Sequence, residues 1–221
     1  MPEELIFASY PVFKADPERL QGVDREVATK EIEDLLDRWS DRVTTRGAYS
    51  TIGFSATADL MFWWVASDPE HIQGINAEFR QTRLGRALDP VEAFLGLVRP
   101  AEFTPDHQPA FVQGRAPQKY LNVYPFVRTP EWYLLEASER SSLLRDHGMA
   151  AAEFKDIGAN TTSAFGLGDF EWILAFEADS VDRIVDLIRT LRATEARRYT
   201  KHELPFFTGI RKPVDEVIAA L

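Results

Sequence analysis

The sequence predicts an α+β protein made of two tandem ferredoxin-like units (dimeric α+β barrel type), with antiparallel sheets and packed helices. Three observations lead there. Strand-length apolar runs alternate with stretches whose apolar residues recur at helical spacing. Residues 47–68 and 158–179 repeat one pattern of glycine, strand and helix start. Between these halves lies a stretch rich in Pro, Gln and Gly, a composition that joins units more often than it builds them.

Leu5 to Phe13 is strand-like, and Ile32, Leu35, Leu36, Trp39 and Val43 then fall on one helical face. Tyr49 to Phe54 and Leu60 to Val65 read as strands. Asp68-Pro69 opens a helix, Asp as cap and Pro at the first helical position, running to about Leu84 with Gly85 as its stop. A second round begins with strand Tyr120 to Val127. The helix Ser138 to His147 follows, with Gly148 placed as a left-handed cap. Thr161 to Phe165 and Glu171 to Phe176 are strands. Val181, Ile184, Val185, Ile188 and Leu191 form one apolar helical stripe. Leu204 to Ile210 is a last strand, before a short helix opening at Pro213.

The two rounds align. Gly47-Ala-Tyr-Ser-Thr-Ile-Gly-Phe54 precedes Asp59-Leu-Met-Phe-Trp-Trp64 and a helix at Asp68; Gly158-Ala-Asn-Thr-Thr-Ser-Ala-Phe165 precedes Asp169-Phe-Glu-Trp-Ile-Leu174 and a helix near Asp179. This spacing suggests a duplicated β-α-β-β-α-β unit. The expected organisation is therefore a first unit over 1–100, a connecting loop over 101–118, and a second unit over 119–221.

Composition narrows the function. The formal charge of -10 is wrong for a phosphate backbone and for anionic lipid. No apolar run nears the roughly 18 residues of a membrane span, and Met1-Pro-Glu-Glu is acidic where a secretory leader is basic. With no cysteine, disulfides, thiolate metal sites and a cysteine nucleophile are excluded. A cytoplasmic protein that binds neither nucleic acid nor membrane is expected.

Nucleotide-binding glycine loops, a His-Glu-x-x-His zinc motif and a Gly-x-Ser-x-Gly elbow are all missing. Four histidines remain as metal candidates. His71, in the first turn of a helix, and His202, in a polar stretch, read as solvated surface. His107 sits in the connecting loop between two prolines. His147 ends a helix, where an imidazole can compensate the dipole or bind metal, and residue type alone leaves both roles open.

Four segments carry the reading further: Tyr124-Pro-Phe-Val-Arg-Thr-Pro-Glu-Trp-Tyr-Leu-Leu135, Arg145-Asp-His-Gly148, Gly168-Asp-Phe-Glu-Trp-Ile-Leu-Ala-Phe176 and Leu191-Arg-Ala-Thr-Glu-Ala-Arg-Arg198. In this order they resemble the coproheme decarboxylases of the chlorite dismutase superfamily, and their actinobacterial branch in particular. The likeness runs from about Gly53 to the C-terminus.

The resemblance implies two ferredoxin-like units per chain and rings of five. It also implies that iron coproporphyrin III binds in the second unit, where hydrogen peroxide drives loss of two propionate carboxyls to give heme b. By the same resemblance His147 is the axial ligand of the iron, and its other ring nitrogen needs an acceptor, for which Glu195 is the candidate. Tyr124 would carry the radical that attacks the propionate. Arg128 follows at i+4 on the same strand face, where a guanidinium can clamp a carboxylate. Trp132 would sit near the porphyrin, as would Trp172, although core packing explains both tryptophans about equally well. His107 would be the distal base that deprotonates peroxide; an unperturbed pKa of about 6.5 suits that task. Chlorite-degrading relatives carry a distal arginine where this chain has Ala159 or a neighbour, which disfavours chlorite chemistry. The alternative expectation is a heme-binding or delivery protein that kept the pocket and lost the reaction.

Overall fold

The computed structural model describes residues 5–100, 102–103 and 108–221. It divides into two compact units, residues 1–98 with 207–221, and residues 99–206.

The first unit starts with β1 (Phe7–Ala15), the single-turn α1 (Pro17–Leu20) and α2 (Arg25–Trp39). The Asp24 carboxylate caps α2 by accepting from the Glu26 and Val27 amides at 3.0 and 3.1 Å. Then come β2 (Thr44–Ser50), β3 (Leu60–Ala66), α3 (Pro69–Phe79), α4 (Arg83–Arg86) and β4 (Leu88–Leu97). The strands pair antiparallel in the order β4-β1-β3-β2, the ferredoxin-like arrangement. Ile32 and Leu35 of α2, Ile72, Ile75 and Phe79 of α3, and Phe62 and Trp64 of β3 form its core. Period 2 puts Phe62 and Trp64 on one face, where their rings stack at 5.2 Å.

The second unit repeats the order. It has β5 (Tyr120–Arg128), the short α5 (Pro130–Leu134), α6 (Ala137–Ala150), β6 (Gly158–Ser163), β7 (Trp172–Ala178) and α7 (Val181–Leu191). A 3-10 helix (Glu195–Tyr199) and β8 (Thr200–His202) close it. The antiparallel order β6-β7-β5-β8 is the first unit's order again. The aligned glycines Gly47 and Gly158 both lie on the second strand of their unit. Each following turn also holds a left-handed glycine, Gly53 at φ 82° and Gly166 at φ 76°. The last strand, β9 (Phe207–Lys212), pairs with β2, and α8 (Val214–Ala219) adds Val217 and Ile218 to the first core. Residues 207–221 thus return to the first unit, whereas the sequence reading assigned them to the second.

Other departures have local causes. The helix opened by Asp68 ends at Phe79, because the Thr82 hydroxyl starts α4 by accepting from the Gly85 amide at 2.9 Å. Gly85 is needed for close approach: a Cβ there would lie 2.0 Å from the Phe79 carbonyl oxygen. Gly148 does not stop α6, which runs on to Ala150 with no positive φ at the glycine. Strand β4 was hidden by Pro90, which fits where the chain shifts register against β1. Residues 108–118, expected to be loop, are bound onto β6 and β7. The Phe111 amide donates to Asn160 Oδ1 at 2.9 Å, and the Gln118 amide to buried Glu177 at 3.3 Å.

Candidate functional site

Alternation along β5 sets Tyr120, Asn122, Tyr124, Phe126 and Arg128 on one face of the second unit's sheet. Cross-strand register adds Phe176 and Ala159 beside Asn122, Leu174 and Thr161 beside Tyr124, and Trp172 and Ser163 beside Phe126. Ile184 and Leu187 of α7 cover the end with Phe176 and Ala178. Toward Phe126, Trp172, Ser163 and Thr161 the face is only half-covered or exposed. A sheet face with apolar and aromatic residues left open at one end is a binding cleft by shape.

Tyr124 stands at the junction of the covered and open parts, 5% exposed, with Phe206 stacked at 4.3 Å. Burial pushes its hydroxyl well above the ordinary tyrosine range; the Glu203 carboxylate adds to this, against Arg192 and Arg197. The phenol therefore keeps its proton at any physiological pH. Glu203 is itself held by Arg192 at 3.0 Å and by Arg197.

Arg128 is half-buried. Its guanidinium lies 4.1 Å from the centre of the Trp132 ring and 4.6 Å from that of Phe126, and donates to the Ala196 carbonyl at 2.9 Å. Desolvation pulls its pKa down to about 10, partly offset by Tyr133, Glu171 and Glu203, so the cation persists at neutral pH. Trp132 is 5% exposed and leans on Tyr199 at 5.6 Å.

His147 lies near the C-terminus of α6, a helix with no buried residue; Leu143 and Leu144 on it are only half-covered. Its Nδ1 is 3.3 Å from Thr194 Oγ1. Burial pushes the imidazole down to about 4, and the charge of Arg128 pushes the same way. The ring is thus neutral at pH 7, as a metal ligand must be.

Four predicted residues therefore gather in one place. Glu203 acts on both Tyr124 and Arg128, Arg128 acts on His147, and Trp132 lies under Arg128. His107 falls outside the described residues. His71 is half-buried, 6.4 Å from Trp39, and His202 is exposed, stacked on Phe170 at 5.8 Å. Trp172 meets Phe165 edge-on at 5.2 Å. Glu195 is a correction. Its carboxylate is exposed and bound to Arg198, because the 3-10 helix turns it outward, and the neighbour of His147 is Thr194.

Sequence reasoning missed Thr194, Glu203 and the pair Arg192 and Arg197. The segment from Leu191 to Arg198 carried a signal, three arginines in eight residues of an acidic chain.

Among the described residues, no three His, Asp or Glu converge as a metal-ion site. One neutral histidine holds iron well only when the remaining ligands arrive with the metal, as in a porphyrin. The residues present fit such a group: an imidazole ligand, half-covered leucines beside it, an open aromatic sheet face, and cations for carboxylates.

Residues 25–212 match the family model described as chlorite dismutase. The coproheme decarboxylase of Mycolicibacterium smegmatis is 49% identical over 217 residues, covering 97% of this chain and 94% of that protein. Among solved structures, the chlorite dismutase of Candidatus Nitrospira defluvii in complex with imidazole superposes with a TM-score of 0.88 at 24% identity, covering 97% of this chain and 94% of that one. A putative chlorite dismutase gives a TM-score of 0.83 at 17% identity, covering 98% and 99%.

Proposed function

The chain belongs to the chlorite dismutase family, and within it we propose that this protein is a coproheme decarboxylase of heme biosynthesis. Its substrate would be iron coproporphyrin III, converted to heme b with hydrogen peroxide as oxidant. For each of two propionates, one peroxide is reduced to two waters while the substrate gives up carbon dioxide, a hydrogen atom and an electron, leaving a vinyl group. The bound iron porphyrin supplies the redox chemistry.

The observation that carries this reading is the gathering of a neutral lone histidine, a buried protonated tyrosine and a half-desolvated guanidinium around one open sheet face. His147 would hold the metal. Arg128, braced on Trp132, would orient a propionate toward Tyr124 through paired N–H donors. Tyr124, desolvated and protonated, has a hydrogen atom to give; the phenoxyl left behind takes one back from the propionate carbon. His107 would accept the proton of peroxide. A carrier without chemistry would need His147 and an apolar cleft, but neither Tyr124 nor Arg128. We place the protein in the cytoplasm as a ring of five on the family resemblance, which a native mass measurement checks.

The test is single turnover. Coproheme and then peroxide are added, and the extracted porphyrin is weighed. Two successive losses of carbon dioxide plus two hydrogens are expected; an unchanged tetrapropionate porphyrin leaves the carrier reading instead.

A further inference from the structure

We propose that Thr194 is the positioning residue for His147: its hydroxyl fixes which ring nitrogen faces the metal and offers the other only a weak acceptor. The proposal rests on the reading of this site as a porphyrin site.

A threonine hydroxyl has one proton to donate and lone pairs to accept. Here the proton has a destination, because Thr194 Oγ1 donates to the Leu191 carbonyl at 2.8 Å, in the turn that ends α7. Toward His147 the same oxygen can only accept. The imidazole nitrogen 3.3 Å away, Nδ1, must then carry the hydrogen, and in a neutral ring the lone pair is left on Nε2. The chain thus presents Nε2 to a metal before any metal arrives. The Leu191 carbonyl holds the hydroxyl, and the backbone of Thr194 is the N-cap of the 3-10 helix.

The identity of the acceptor matters as much as its place. A carboxylate on Nδ1–H would draw the ring toward imidazolate and strengthen its donation to iron. A hydroxyl already spent on a carbonyl draws weakly. Glu195, the adjacent carboxylate, is turned away onto Arg198. With a porphyrin held at His147, such an acceptor would leave the ring a weaker donor to the iron than a carboxylate would.

The experiment has two readouts. In porphyrin-free protein with 15N-labelled histidine, NMR at pH 7.5 should show His147 as the Nδ1–H tautomer. Thr194→Ser should keep it and Thr194→Val should lose it to a mixture. In ferrous coproheme complexes, the iron–histidine stretching frequency should fall in Thr194→Val, return in Thr194→Ser, and rise in Thr194→Asp. Coproheme affinity in Thr194→Val should weaken about tenfold. A Thr194→Val protein with wild-type tautomer and stretching frequency would overturn the proposal. If wild-type protein fails to bind coproheme, the porphyrin reading falls while the tautomer measurement still decides what Thr194 does.

Discussion

The two units share one strand order and one turn, yet they use their interiors differently. In the first unit, helices α2, α3 and α8 close one sheet face with Ile32, Leu35, Ile75, Phe79 and Val217, all at 1% exposure or less. In the second, α7 closes only half the matching face, and α6 has half-buried but no fully buried residues. Where the first unit packs Phe62, Trp64 and Phe79 against one another, the second sets a neutral histidine, a protonated tyrosine and a desolvated arginine. Burying such groups without full apolar packing costs stability.

That contrast can be broken from either side. Tyr124→Phe gives the largest effect. Removing one hydroxyl leaves the Phe206 stack intact, so coproheme should bind as in wild type while decarboxylation of the first propionate falls by orders of magnitude in stopped-flow and mass measurements. Wild-type turnover would end the catalytic role. Phe79→Ala strikes the other unit: deleting a fully buried ring that touches Phe13 at 5.0 Å and Phe62 at 5.3 Å should destabilise by about 3–5 kcal/mol in urea unfolding. A loss below about 1 kcal/mol would mean that the first core is looser than its packing indicates. Smallest of all is Glu195→Ala. Its carboxylate forms an exposed ion pair, so coproheme affinity and the iron–histidine frequency should stay at wild-type values. A clear drop in either would return the acceptor role to Glu195.

Elements with a local signature were legible in the sequence. Asp68-Pro69 announced α3, the five-residue apolar stripe announced α7, and the paired glycine-strand-helix pattern announced the repeat. Elements set by distant partners were not. Strand β4 carries Pro90 and reads as loop until β1 pairs with it, and β9 joins the first unit only through β2. At the proposed site, Tyr124, Arg128, Trp132 and His147 were singled out through motif resemblance, and i to i+4 spacing gave the shared face of Tyr124 and Arg128. Thr194 was missed for a physical reason. Its role depends on where its hydroxyl proton goes, and that is decided by the Leu191 carbonyl in the folded chain. Glu195 was chosen because a carboxylate is the stronger acceptor, but one step along a 3-10 turn rotates a side chain by about 120° and points it elsewhere.

Helix α6 carries His147 with no buried side chain of its own. An isolated helix of its length is marginal in water, so its amide protons are expected to exchange by local opening. In the empty protein those amides should exchange with deuterium far sooner than the amides of α3. A ligand fastened to His147 would then act as the helix's missing core, and protection along α6 would report occupancy of the site without any measurement of colour or turnover.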